Sequence, residues 1–176
     1  MNRCACICFV CFLAALLFGC DTNEPTLLLA DIPSGISPDA ARRCLNVAAD
    51  NWTVIEDSHL PPGDKRPRSD VLIVEVRAFT HCGVTGVLGL QFYNDRLTAT
   101  LFYPEDLPAY LHGLAAKGIH FEPPHPQADV RAQAREVRLA PRTRIWLYRD
   151  YKDRDYIGWE DVKLIGEQNR WIDRHS

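Results

Sequence analysis

The folded part of this chain has none of the usual catalytic signatures. There is no G-x-S-x-G nucleophile elbow and no H-E-x-x-H zinc motif. Gly83, Gly86 and Gly89 are not followed by Lys-Ser/Thr, and they fall within strand-like alternation, which excludes a phosphate loop. No C-x-x-C is present past residue 20, which makes a redox-enzyme reading weak. His120 and His125 lack a third ligand, so no metal and no cofactor is expected. A basic excess is absent as well. The first 19 residues hold one of the 20 basic residues and none of the 23 acidic ones, so the remainder is more acidic than the net −3 of the whole chain. That is no electrostatic footprint for nucleic acid. After the first apolar run, no second one approaches membrane-helix length.

The amino-terminal stretch is where information is concentrated. Met1 to Gly19 has the three-part build of a secretory leader: Arg3 as the only charge, an apolar run from Cys4 to Phe18, and the small Gly19. The run is short for a bilayer span. Leu17-Phe18-Gly19-Cys20 closes it, and this order resembles the lipobox of bacterial lipoprotein precursors, with the bulky Phe18 as a departure. The resemblance covers the leader alone. It implies cleavage before Cys20, a diacylglyceryl group on the Cys20 thiol, and acylation of the new amino terminus. Two or more acyl chains hold a protein stably, at about 0.8 kcal/mol per buried methylene. The implied location is the cell envelope, facing the periplasm. Asp21 resembles the inner-membrane retention signal of enteric bacteria, which favours the inner over the outer membrane. Residues 20–35 then form a lipidated tether, with Leu27-Leu28-Leu29 docked on the domain, and residues 36–176 form one domain.

Four of the seven cysteines leave with the leader and Cys20 takes the lipid, so Cys44 and Cys82 remain. An even number in an oxidising compartment predicts a disulfide. The alternatives are two buried thiols, or a reactive Cys82 beside His81.

Ser37-Pro38-Asp39 starts a helix, with Ala41, Cys44, Leu45, Ala48 and Trp52 at helical spacing. On this pattern Cys44 faces inward. Trp52 to Glu56 and Asp70 to Thr80 read as strands. Between them, Lys65-Arg66-Pro67-Arg68 is a solvated loop by composition, with anionic lipid headgroups or a partner as the functional alternative. Thr85 to Tyr103 folds as a hairpin around Asn94-Asp95. Its alternation predicts the pairs Phe92–Leu97, Leu90–Ala99 and Leu88–Leu101 on one face, with Tyr93 opposite Arg96 on the other. Pro104-Glu105-Asp106 begins a second helix, which Lys117-Gly118 ends. Val130 to Leu139, Thr143 to Arg149 and Tyr156 to Trp159 read as strands, and Asp161 onward as a third helix. Phe92 to Leu97 and Trp159 to Leu164 share a loose echo that would divide the domain into degenerate halves, 36–118 and 119–176.

The expected fold is α+β: an antiparallel sheet of about five to seven strands with two to three helices packed on one face. With the leader, this order of elements is similar in plan to small envelope lipoproteins of the outer-membrane assembly accessory type (SmpA/BamE). That likeness transfers no residue roles. Aromatics near the hairpins mark a candidate binding surface of Tyr93, Arg96, Phe102, Trp146 and Tyr148, and no catalytic residue is assigned. The functional expectation is a lipid-anchored, non-catalytic binding or assembly accessory protein with an envelope protein partner. Its alternatives are an envelope enzyme using Cys82 and His81, and a lipoprotein inhibitor of a hydrolase that inserts a loop such as Pro61–Arg68 or Glu122–Gln127.

Overall fold

The computed structural model describes residues 26–121, the backbone of 135–138, and residues 142–176. In chain order it contains α1 (Pro38–Leu45), β1 (Trp52–Ser58), β2 (Val71–His81), β3 (Val84–Tyr93), β4 (Arg96–Pro104), α2 (Leu107–Ala116), β5 (Arg135–Arg138), β6 (Thr143–Arg149), β7 (Asp155–Asp161) and α3 (Val162–His175). The seven strands make one antiparallel sheet in the order β1-β2-β3-β4-β7-β6-β5. A four-stranded meander is laid down first. The last three strands are then added so that β7 pairs with β4. The protein has the expected α+β fold.

Local chemistry sets the element ends. The Ser37 hydroxyl accepts from the Ala40 N–H at 3.3 Å and Pro38 opens α1. The helix stops at Asn46, whose φ of 50° is left-handed, a conformation asparagine tolerates. The apolar spacing that ran on to Trp52 is therefore not helical, and Trp52 instead opens β1. In α2 the Asp106 carboxylate accepts from the Ala109 N–H at 2.9 Å. Gly118 ends that helix with φ +83°, and the Ile119 N–H returns to the Leu114 carbonyl at 3.0 Å. Ile119 packs on the core, as its place after the glycine cap predicts.

The β3–β4 hairpin turns on Asn94 and Asp95, at φ 50° and 60°, the paired positive values of a type I′ turn. Phe92 pairs with Leu97 as expected, but the register then shifts. Thr98 is an extra residue with its hydroxyl on the Gln91 carbonyl at 3.0 Å, and Leu90 meets Thr100 while Leu88 meets Phe102. Alternation alone does not register a bulge, because one added residue exchanges the two faces beyond it.

One face of the sheet carries Val74, Val76, Leu88, Leu90, Phe102, Ile157 and Trp159 into the core. It is covered by α1 through Ala41, by α2 through Tyr110 and Leu114, and by the segment before α1. In that segment Leu28, Leu29 and Ile32 are buried. Ser34 donates its hydroxyl to Asp161 at 2.7 Å, and Gly35 and Ile36 bond the Leu97 backbone. Residues 26–35, grouped with the tether on sequence grounds, are thus packed on the domain through Leu28, Leu29, Ile32 and Ser34, while Leu27, expected to dock with its neighbours, is exposed. Helix α3 lies against the opposite face. Its Leu164 is buried outside the main cluster, and its Glu167 pairs at 2.8 Å with Arg96, whose side chain shares that face with Tyr93. The two stretches of the loose echo do not correspond: 92–97 is a hairpin turn, and 159–164 is a strand running into a helix.

Candidate functional site

Among the described residues, α3 covers the second sheet face only near the β3–β4 turn. Beyond it, β4, β6 and β7 present Tyr103, Trp146, Tyr148 and Tyr156 side by side. The Tyr103 and Tyr156 rings are 5.1 Å apart, and Tyr148 meets Tyr156 edge-on at 5.9 Å. Gly158 is paired with Trp146, and a Cβ on Gly158 would lie 2.5 Å from the indole. The missing side chain lets the indole lie down on β7. Arginines flank the rings: the Arg154 guanidinium is 4.5 Å from the Tyr103 centroid, and that of Arg144 is 5.6 Å from the Trp146 centroid. Asp150 holds Arg154 at 2.9 Å, and the buried Glu160 pairs with Arg144. Burial pushes Tyr103 up to about 12 and raises Tyr156, so both phenols keep their protons and can donate. Flat rings, neutral donors and guanidinium edges suit recognition of a protein surface.

The five residues marked from sequence separate. Trp146 and Tyr148 belong to this face. Tyr93 is only 4% exposed, and Arg96 on the same side is tied to Glu167 of α3. Phe102 is a correction: it is fully buried in the opposite face, against Phe79 and Tyr110. The Thr98 bulge turned it inward, and burying such a side chain contributes about 2–3 kcal/mol. The same shift turned Tyr103 outward, and it was missed for that reason. Arg154 was missed because its stacking on Tyr103 depends on β7 pairing with β4; Arg144 was missed although the alternation of β6 places it on the same side as Trp146, two residues on.

The cysteines require a second correction. Cys44 and Cys82 are free thiols in the structure. Cys44 is exposed, because α1 buries only Ala41 completely. Cys82 occupies the β2–β3 turn at φ 49° and lies against α2, where a Cβ on Gly113 would come within 2.9 Å of its own Cβ.

The turn does bring Cys82 to His81, with the sulfur 3.7 Å from both ring nitrogens. A point equidistant from both nitrogens lies along neither lone pair, so the thiol is not aligned for proton transfer to the imidazole. His81 Nδ1 is instead engaged by the buried Tyr110 hydroxyl at 2.6 Å. Burial, aided by the Lys117 charge, pushes His81 down to about 4, and burial raises Tyr110. At neutral pH this is a hydrogen bond between two uncharged groups, packed among Phe102 and Trp159.

Loop 61–68 is docked on α3 rather than projecting: Trp171 Nε1 donates to the Pro67 carbonyl at 3.0 Å, and Arg66 donates to that of His175. Cys20, Asp21, His125 and residues 122–127 lie outside the described residues, and His120 is exposed. Among the described residues no group of three or more His, Cys, Asp or Glu side chains could hold a metal ion, and no helix is long and apolar enough to cross a membrane.

Comparison with protein-family models and with curated proteins returns no match for this chain. The class is defined by architecture alone: an α+β domain built on one seven-stranded antiparallel sheet.

Proposed function

We propose that this chain is a lipid-anchored envelope lipoprotein, facing the periplasm, that holds an envelope protein partner and performs no catalysis itself. The observation that carries the proposal is the partly exposed face of Tyr103, Trp146, Tyr148 and Tyr156 between Arg144 and Arg154. Its occupant is a protein surface of apolar side chains fringed by carboxylates, complementary to the rings and the guanidinium groups. The leader ending in Leu17-Phe18-Gly19-Cys20 supports the anchor, since packed structure is already in place at Thr26. Asp21 favours the inner membrane on the same resemblance.

The test is site-specific crosslinking in intact envelopes. A photoreactive residue at Tyr148 should capture a discrete envelope protein, and capture should fall at least tenfold (~1.4 kcal/mol) when Trp146→Ala and Arg154→Ala are added. The same probe at His112, on α2 across the core, should capture nothing. Equal capture at both positions sinks the proposal.

A further inference from the structure

A groove between α3 and the β3–β4 turn plays no part in the function proposed above. It has a volume of about 330 Å³, and its charged lining is Arg68, Arg96, Arg170, Arg174, His175 and Glu167. Arg96 is paired with Glu167, and Arg68 with Asp70 and Asp95. Arg170 and Arg174, one helical turn apart and exposed, have no ion-pair partner among the described residues. The docked loop adds Arg66, which is paired with Asp64 at 2.7 Å and whose guanidinium is 5.7 Å from the Trp171 ring centroid. In a chain of net charge −3, Arg170 and Arg174 thus put unpaired cationic charge beside an indole.

The position of the groove gives this charge a direction. The first described residues pack at the same end of the sheet. Thr143 at the start of β6 donates to the Leu27 carbonyl at 3.5 Å, Ser34 holds Asp161 at the start of α3, and Gly35 bonds Leu97 beside the groove-lining Arg96. Cys20 precedes Thr26 by six residues. Six residues span at most about 20 Å, so a lipid on Cys20 holds this end of the sheet close to the bilayer.

We infer that the groove docks on anionic phospholipid headgroups of the membrane that holds Cys20, as a second attachment beside the acyl chains. The inference rests on the lipoprotein proposal. Arginines complement the headgroup phosphates, and Trp171 is placed as an interfacial aromatic. A single tether leaves a domain free to rotate; two attachments fix it, with the far end of the aromatic face held away from the lipid. The shared chemistry is phosphate recognition, so a soluble phosphate ester is the competing source.

The experiment uses the full chain, made in a host that processes lipoproteins. It is reconstituted into vesicles of phosphatidylcholine alone or of an equimolar mixture with phosphatidylglycerol, each carrying a headgroup-spin-labelled lipid. Quenching of Trp171 is read against a Trp171→Phe control. Quenching should require phosphatidylglycerol and fall at high salt. Each arginine near an anionic surface is worth roughly fivefold, so Arg170→Glu with Arg174→Glu should weaken docking at least tenfold, and the milder Gln pair should fall between. Equal quenching in both vesicle types, or no effect of the charge variants, overturns the inference. Loss of the Trp171 quenching in millimolar glycerol phosphate, with the protein still held by its acyl chains, overturns it too, and makes the groove a solute site. The mass of the amino-terminal peptide is measured separately. An unmodified Cys20 defeats the anchor and the inference that rests on it, whereas an acylated Cys20 without lipid-dependent quenching defeats the groove alone.

Discussion

Trp146 rests on Gly158 across the β6–β7 pair, with 2.5 Å between the indole and the place where any other residue would carry its Cβ. The strand position has no room for alanine while the ring stays down. Gly158→Ala should displace the indole, cost about 1–3 kcal/mol in a denaturant titration, and red-shift the tryptophan emission. It should also reduce capture at Tyr148 in the crosslinking assay. A variant with wild-type stability and emission would mean the ring does not lie there.

Asp161 should be the most costly carboxylate to lose. It is fully buried, caps α3 through the N–H groups of Lys163 and Leu164 at 2.9 and 3.3 Å, accepts from Ser34, and pairs with Arg142 at 2.8 Å. Burial acts to raise its pKa, but Ser34, the Leu164 N–H and Arg142 together outweigh this and hold it below the usual value. Asp161→Ala should destabilise by about 3–5 kcal/mol, since it removes the acceptor shared by a guanidinium, a hydroxyl and a helix end. Ser34→Ala should cost about 1 kcal/mol. Equilibrium unfolding of both variants checks the order.

His81 should make stability depend on pH below neutrality. Its folded pKa, about 4, lies below the unfolded 6.5, so between these values the unfolded chain binds more protons than the folded one. The contribution is complete above pH 6.5 and is lost as pH falls to about 4. It amounts to at most about 3 kcal/mol, less the solvent screening of a ring that is not wholly buried. The carboxylates titrate in every variant, so the difference between wild type and His81→Gln isolates this group. A parallel pair of stability curves over that window would contradict the neutral, Tyr110-bonded imidazole.

The two thiols should differ in accessibility. On the folded protein, Cys44 should react with a maleimide first, because it is exposed on α1, and Cys82 should lag because it is wedged between the β2–β3 turn and α2. Mass spectrometry without reductant should find both unlinked. A mass lower by two hydrogens, with neither thiol labelled, would restore the disulfide expected from the cysteine count.

Much of the fold was legible because it is local. A capping serine with proline after it, an aspartate three residues before Ala109, a glycine followed by Ile119, and two turn-formers between alternating runs act over four to six residues, and each produced the expected helix end or turn. The α+β class followed from their order. Less of the binding face was legible. Trp146 and Tyr148 sit in one strand with clean alternation, whereas Tyr103 and Phe102 exchanged faces through Thr98, which no period-two pattern registers. The disulfide expectation failed differently: counting cysteines says nothing about which side of α1 is needed for the core, and that helix buries little beyond Ala41.

By itself, then, the sequence determined where the helices start, where α2 stops and where the central hairpin turns. These depend on backbone conformational preference and short-range capping, which residue type controls directly. Only the tertiary structure decided what stands together. β4 lies far along the chain from the β6–β7 hairpin, and Tyr103 meets Tyr156 and Arg154 because β7 pairs with β4; α3 brings Arg170 and Arg174 to the end of the sheet where Thr26 enters for the same reason. Such contacts are set by long-range strand pairing and by the burial of one sheet face, and no local pattern encodes either.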